Sequence, residues 1–328
     1  MADFEEALGL PIAQCNAPYE GESALTMRVG IPHRSGGLAA HAFRNGYKAM
    51  VSANAFYDRQ RRAFRIPAAT DLSEVDFALD SAGFTAMSLW KANGKQEGIA
   101  GVYPWTLGEY LSFATEVGAS WYAAPDFCCE KEVAGSGAEV EYRVRATATL
   151  LEATLRQLWA WQNELAKRSN ARTVANMLPP PVPVLQGWKP SDYLLSLELT
   201  MKVWQRWQPW IGRPALIGVG SVCRRALHHR EHGLMAVLAA LEGRLPEGTR
   251  LHLFGVKGAC LHEVRTMPWV GSVDSMAFDV GARRAALHAG QSNTIGHRAK
   301  AMTRWMDRAS RHLSAAAGDQ ARLPLVFA

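Results

Sequence analysis

The chain has 328 residues, of which 48% are hydrophobic and 20% charged. This is a globular composition, long enough for one large α/β domain or two ordinary ones. No apolar run approaches the roughly 20 residues that span a membrane, and the acidic start Met1-Ala2-Asp3-Phe4-Glu5-Glu6 is unlike a secretory leader, so a cytoplasmic protein is expected. The five cysteines (Cys15, Cys128, Cys129, Cys223, Cys260) are scattered, with neither C-x-C nor C-x-x-C, which excludes a zinc ribbon and a disulfide framework. Net charge is +6 and is clustered. Arg59, Arg61, Arg62 and Arg65 follow an early strand, while Arg283, Arg284, Arg298, Lys300, Arg304, Arg308 and Arg311 crowd the last third around Asp307. Each group reads as a solvated face when taken alone; together they point to a polyanion, most commonly nucleic acid.

In chain order, apolar or β-branched runs at 24–30, 48–53, 75–80, 120–126, 182–186, 215–219, 251–256 and 273–278 predict eight short strands. Helical spacing lies between most of them. Over 142–167 it places Leu150, Leu151, Leu155, Leu158 and Trp159 on one face, and 192–207 and 222–241 are further helices. Eight strands alternating with helices predict a TIM-type (β/α)8 barrel rather than an open sheet. The Pro-rich run Met177-Leu178-Pro179-Pro180-Pro181-Val182-Pro183 is a stiff approach to a strand, so one domain over 1–328 is expected, with a basic helical segment over 281–328.

Barrel active sites lie at the C-terminal ends of the strands. Read as a set, the strand ends give Asn54, Asp80, Asp126, Gln186-Gly187, Gly218-Val219-Gly220-Ser221, Gly255 and Asp274. Any one aspartate there serves equally to cap the next helix. Three of them with a glutamine and two glycine-rich turns predict a pocket that grips a flat, hydrogen-bonding ring and does carboxylate chemistry on it.

Five segments in order carry a family likeness. Asp80-Ser81-Ala82-Gly83-Phe84, Val184-Leu185-Gln186-Gly187, Ile217-Gly218-Val219-Gly220-Ser221-Val222, Leu253-Phe254-Gly255-Val256 and Val273-Asp274-Ser275 resemble the motif set of the guanine transglycosylases. These are barrel enzymes that exchange guanine for a 7-deazaguanine in tRNA. The resemblance covers about residues 48–280 and implies roles position by position. Asp274 is then the nucleophile that attacks C1′, and Asp80 the acid/base, a pairing like that of retaining glycosidases. Phe84 stacks on the base, with Phe254 on its other face. Asp126 and Gln186 read the Watson–Crick edge, the carboxylate accepting from N1–H and the 2-amino group and the amide donating to O6. Ser81, Gly187, Gly218, Gly220, Ser221 and His252 complete the substrate pocket. Arg59, Arg61, Arg62, Arg65, Lys257, Arg283 and Arg284 are assigned to nucleic acid.

Two departures narrow the expectation. The tRNA enzymes carry a zinc site after the barrel, and this chain has no cysteine beyond Cys260, so no zinc and no C-terminal RNA-binding domain are expected. The plan is closer to the exchangers of bacterial and phage DNA-modification systems, with DNA as the partner and accessory proteins to open the duplex. Arg224 stands about where bacterial tRNA enzymes have a glutamate that helps them accept a cationic aminomethyl group. An arginine there repels a cation and favours a neutral substituent, as in 7-cyano-7-deazaguanine. Action on tRNA and a catalytically idle nucleic-acid-binding barrel are the alternatives.

Other signals compete. His228-His229-Arg230-Glu231-His232 contains H-x-x-E-H, which on a helix would hold zinc, or simply be an exposed face. Trp204, Trp207 and Trp210 recur every third residue, as helix packing or as base-stacking surfaces. Lys257 reads as a phosphate contact, and Cys128-Cys129 as buried packing.

Overall fold

The computed structural model describes residues 25–33, 36–65, 71–208 and 210–314. The acidic N-terminus, Cys15, the first residue of the strand expected at 24–30, and the part of the basic segment beyond 314 lie outside them. In chain order the elements are β1 (Thr26–Ile31), α1 (Gly37–Arg44), β2 (Ala49–Ser52), β3 (Tyr57–Asp58), β4 (Ala63–Phe64), β5 (Phe77–Asp80), α2 (Gly83–Asn93), α3 (Leu107–Glu116), α4 (Gly137–Ala166), α5 (Ala171–Met177) and β6 (Val184–Leu185). There follow α6 (Pro190–Arg206), β7 (Leu216–Val219), α7 (Leu234–Leu241), β8 (Arg250–Leu253), α8 (Leu261–Val264), β9 (Val270–Ser275), α9 (Ala277–His288) and α10 (Ile295–Ser314).

Among the described residues seven strands form one curled parallel sheet in the order β5-β2-β1-β9-β8-β7-β6. The first strand is therefore central: Val29 pairs with Ala49 on one side and Ser275 on the other. The eighth strand expected at 120–126 is reduced to isolated bridges, Tyr122 with Leu79 of β5 and Ala123 with Val182 just before β6. Leu79 N donates to Trp121 O (3.0 Å), Ala123 N to Leu79 O (2.9 Å), Val182 N to Tyr122 O (2.8 Å) and Ala124 N to Val182 O (2.8 Å). Pro125, Pro181 and Pro183 have no N–H to extend these ladders, which explains why pairing stops after two residues.

Strand alternation separates two cores. Val29, Val51, Leu79, Val219, Leu253 and Val273 point out to the helices and join the main hydrophobic cluster. A smaller cluster of Met50, Ala78, Trp121, Val182 and Leu216, with Phe254 against it, fills the inside of the curl. Arg28 shares this side, its guanidinium 5.7 Å from the centroid of a Trp121 ring and 3.0 Å from the Asp76 carboxylate. The helix expected at 142–167 begins earlier, at Gly137, where Ser136 caps it by accepting from Glu139 N. Trp204 and Trp210 are buried in the main cluster and Trp207 packs against it, so the tryptophan triplet is packing.

Three expected boundaries move. Only Leu234–Leu241 of the helix expected at 222–241 is helical, because Gly233 is pressed against the 227–229 backbone and the chain turns before it. The strand expected at 251–256 ends at Leu253; Gly255, with φ +68°, turns the backbone. The strand expected at 273–278 runs from Val270 to Ser275, and Phe278 already belongs to α9.

The described part of the basic C-terminal segment is two helices, the end of α9 and α10, joined by the non-helical residues 289–294, and Arg298 is not a solvated cation. It is 6% exposed and its Nε donates to Asp279 Oδ1 at 2.5 Å, while Arg283 reaches Asp279 Oδ2 at 2.7 Å. This cluster clasps α10 to α9. Removing the carboxylate leaves a buried guanidinium uncompensated, so Asp279→Ala is expected to destabilise the protein by about 3–5 kcal/mol in chemical denaturation. A loss below about 1 kcal/mol would show that water reaches Arg298.

Candidate active site

Asp80 ends β5, Asp274 is the fifth residue of β9, and Asp126 follows the bridged segment at 121–124. All three line one cavity of about 1010 Å³ at the C-terminal ends of the strands, with Gln186, Gly220, Ser221 and Phe254. The backbone supplies close fits. A Cβ on Gly220 would lie 2.2 Å from Gln186 Nε2, and one on Gly218 would lie 2.4 Å from Phe254, so a larger residue at either position would displace the side chain that now fills the space. After Asp80 the chain turns through Ala82 in the left-handed region (φ 70°), unusual for a residue with a Cβ, and the Ala82 N–H donates to Asp80 Oδ2 at 3.1 Å.

Asp126 anchors a relay of side chains. Its Oδ1 accepts from Ser81 Oγ and its Oδ2 from Gln186 Nε2. Ser221 Oγ donates to Gln186 Oε1 at 2.5 Å and accepts from Cys129 N at 2.7 Å, so the amide orientation of Gln186 is fixed from both ends. The buried Tyr103 hydroxyl donates to Asp126 O (2.6 Å) and accepts from its N–H (3.0 Å). Burial pushes the Asp126 carboxyl up to about 6, against the pull of Ser81 and Gln186. Asp80 rises further, to about 7: burial is the largest cause, followed by repulsion from Asp126 and Asp274, with the Ala82 N–H opposing.

Asp274 is held differently. Its Oδ1 accepts from Gly255 N at 2.8 Å, which the turn at Gly255 aims at it, and lies 3.2 Å from His252 Nε2. His252 is fully buried, its Nδ1 2.7 Å from Ser272 Oγ, and burial lowers its pKa, favouring the neutral ring. An ionised carboxylate can only accept, so with Asp274 ionised the neutral ring carries its proton on Nε2 and leaves Nδ1 to accept from Ser272 Oγ. Phe254 and Trp121 pack edge-on against the imidazole at 4.6 and 4.9 Å.

The expected pocket residues thus split. Ser81, Gly187, Gly218 and His252 stand behind the cavity wall rather than in it. Ser81 supports Asp126, His252 supports Asp274, Gly218 leaves room for Phe254, and the Gly187 carbonyl accepts from Arg225 at 2.8 Å. Phe84 is on the wall, with the Arg224 guanidinium 4.7 Å from its ring centroid and Arg224 paired to Glu132 at 2.8 Å. Cys128 is buried, and Cys223 is exposed on the cavity rim.

The cations assigned to nucleic acid split as well. Lys257 and Arg284 line the cavity. The four early arginines lie on or beside the β3–β4 hairpin, off the cavity wall. Arg62 pairs with Glu97 (2.6 Å) and Arg65 with Asp58 (3.2 Å), while Arg59 reaches Asn54 (3.4 Å), which does line the cavity. Arg283 is committed to Asp279. The H-x-x-E-H segment is not on a helix: His228 pairs with Glu263 at 3.0 Å, and His229 and His232 stack on each other. Among the described residues no group of three or more His, Cys, Asp or Glu is arranged to hold a metal, and no helix is long and apolar enough to cross a membrane.

Sequence reasoning passed over three residues. Arg225 is buried and donates to Ser221 O (2.6 Å), His232 O (2.8 Å), Gly187 O, Trp188 O and the Tyr193 hydroxyl (3.0 Å), tying the loops after β6 and β7 together. Glu130, buried on the cavity wall, has its carboxyl pushed up by burial, with the Arg225 guanidinium opposing. Tyr103 comes from a loop with no strand-end signal. Adjacent Arg224-Arg225 after a glycine-rich turn was the one visible clue.

Carboxyl groups thus converge with a fixed amide in one cavity, an arrangement suited to a flat ring that donates and accepts hydrogen bonds. A family model, DpdA, DeoxyPurine in DNA protein A, matches residues 47–324, and the chain belongs to that family, a guanine transglycosylase family and hence one of pentosyltransferases. No curated protein matches the chain.

Asp80 and Asp126 both titrate above the unfolded carboxyl range near 4. The fold therefore favours their protonated forms, and that contribution to stability is lost as pH rises from about 4 through 7. Asp80→Asn removes its part of the loss. The variant should be more stable than the parent by on the order of 1–3 kcal/mol at pH 8, with the gap closing toward pH 4. Thermal melts across this range check it; parallel curves would place Asp80 in water.

Proposed function

We propose that this protein exchanges guanine in DNA for 7-cyano-7-deazaguanine through a covalent aspartyl-glycosyl intermediate, on a single-domain barrel whose eighth position is the bridged segment at 121–124. Membership of a family that acts on DNA supports DNA as the partner. The observation that carries the reading is the Ser81–Asp126–Gln186–Ser221 relay facing the same cavity as Asp80 and Asp274.

In this reading guanine is flipped out of the duplex, at a cost of a few kcal/mol, with accessory proteins opening the strands. Asp126 accepts from N1–H and the 2-amino group. Gln186 spends one N–H on Asp126 and keeps the other for O6. A carboxylate oxygen of Asp274 attacks C1′ as the C1′–N9 bond breaks, and the departing guanine takes its proton from the Asp80 carboxylic acid. The incoming base gives its N9 proton to the Asp80 carboxylate, and N9 displaces Asp274 from C1′. His252 and the Gly255 amide hold Asp274 in place. Arg224 and Lys257 on the cavity wall favour a neutral 7-substituent over an ammonium. The chemistry requires no metal, and the cytoplasm, where DNA and the base meet, is the place of action.

Exchange of labelled guanine into duplex DNA, with tRNA as the contrast, tests the substrate. Asp274→Asn should abolish exchange and covalent adduct without unfolding the protein, and Asp80→Asn should cut turnover by at least ~10²-fold. Retained turnover in the Asp274 variant would overturn the covalent route; label entering tRNA but not DNA would overturn the substrate.

The pH profile of kcat/KM for DNA should be bell-shaped. Protonation of Asp126 near 6 removes the base's acceptor, and ionisation of Asp80 near 7 removes the acid, so activity falls below about 6 and above about 7. A profile that keeps rising to pH 9 would contradict Asp80 as the acid.

A further inference from the structure

The loops after β6 and β7 build a column of planar groups that the exchange chemistry does not use. The Arg225 guanidinium lies 4.3 Å from the centroid of a Trp188 ring. His232 stacks on Trp188 with centroids 5.5 Å apart and planes 26° from parallel. His229 stacks on His232 at 3.6 Å and 28°, and Lys131 places its ammonium 5.0 Å from a Trp188 ring centroid.

The inner end of this column is rigid, because buried Arg225 is spent on Ser221, Gly187, Trp188, His232 and Tyr193. The outer end is open: His229 is exposed, and its Nδ1 accepts from Glu231 N at 3.2 Å, which fixes the ring's rotation. Trp188 lies three residues past β6, the histidines lie between β7 and α7, and Lys131 follows Asp126 by five residues. All therefore sit at the C-terminal ends of the strands, on the side of the cavity. Burial and the neighbouring His229, Lys131 and Arg225 lower the pKa of His232, which keeps the middle of the stack neutral.

We propose that His229 is the exposed face of a stacking platform for a base of the DNA strand next to the extruded guanine. The inference rests on the DNA-exchange reading. Extruding one base leaves its neighbours without a stacking partner. A ring backed by a second imidazole, an indole and a guanidinium offers a flat, sequence-tolerant replacement, and cations beside it suit the phosphates of the same strand. Lys131, over the Trp188 ring, and exposed Arg230, next in sequence to His229, supply cations for that role.

The test uses single-stranded and bubble oligonucleotides with 2-aminopurine at each position flanking the target guanine. Wild-type protein should quench emission at one of these positions. His229→Ala, at an exposed site and with an unchanged melting temperature, should abolish the quenching and weaken binding about tenfold with the same salt slope. His229→Phe should restore both. The platform is overturned if His229→Ala quenches and binds like wild type, if its loss comes with a shallower salt slope that marks a phosphate contact, or if phenylalanine fails to rescue. Labelled-guanine exchange by the wild type is measured in parallel. Quenching without exchange would sink the transglycosylase reading and leave the platform standing, whereas exchange with a silent His229→Ala would sink the platform alone.

Discussion

Everything at this site depends on keeping several carboxyl groups in one cavity. Mutual repulsion and lost hydration make full ionisation unfavourable, and each group answers the problem in its own way. Asp126 is given donors from Ser81 and Gln186. Asp274 is given an amide and faces an imidazole. Asp80 receives one amide from a left-handed turn and is pushed further than Asp126 toward the neutral acid. Environment thus raises the proton affinity of Asp80 above that of Asp126, although both end in the same cavity.

The scaffold's irregular features cluster around that requirement. The glycines at 218 and 220 leave space that Phe254 and Gln186 fill, the turn at Gly255 delivers its N–H to Asp274, and Ala82 is held in a conformation that residues with a Cβ avoid. Arg225 plays the same part at longer range, a buried cation whose acceptors are four carbonyls and a phenol. Buried charge without such partners would be costly.

The strand ends were legible because a parallel sheet buried on both faces writes itself as apolar runs, and polar residues at their ends stand out. Asp80, Asp126, Gln186 and Asp274 could be read as one set for that reason. The segment at 120–126 was read as a full strand because its composition is right; the prolines that cut its ladder act on a partner 60 residues away. Arg298 belongs to a cluster that the sequence reads as a solvated face or, with the early arginines, a polyanion contact; its partner Asp279 is on a different helix, and a sequence shows neither burial nor pairing across helices. The 222–241 helix failed at Gly233, where the close backbone approach is tertiary. His252 and Ser81 were placed in the pocket, since alternation along a strand does not reveal how deep a side chain lies, and Tyr103 comes from a loop that no pattern marks.

The pairing of β1 with both β2 and β9 has a consequence for how the protein is made. Met27 is in register with Val273, so the centre of the sheet joins residues about three quarters of the chain apart. Such long-range parallel contacts are slow to form, because loop closure must precede any reward. During synthesis the N-terminal strand leaves the ribosome with one flank unpaired and waits for β9, which also carries Asp274. Asp274 and the seam of the sheet therefore arrive together. A truncated or stalled chain that ends before β9 lacks the seam of the sheet and Asp274 together, and with them one wall of the cavity.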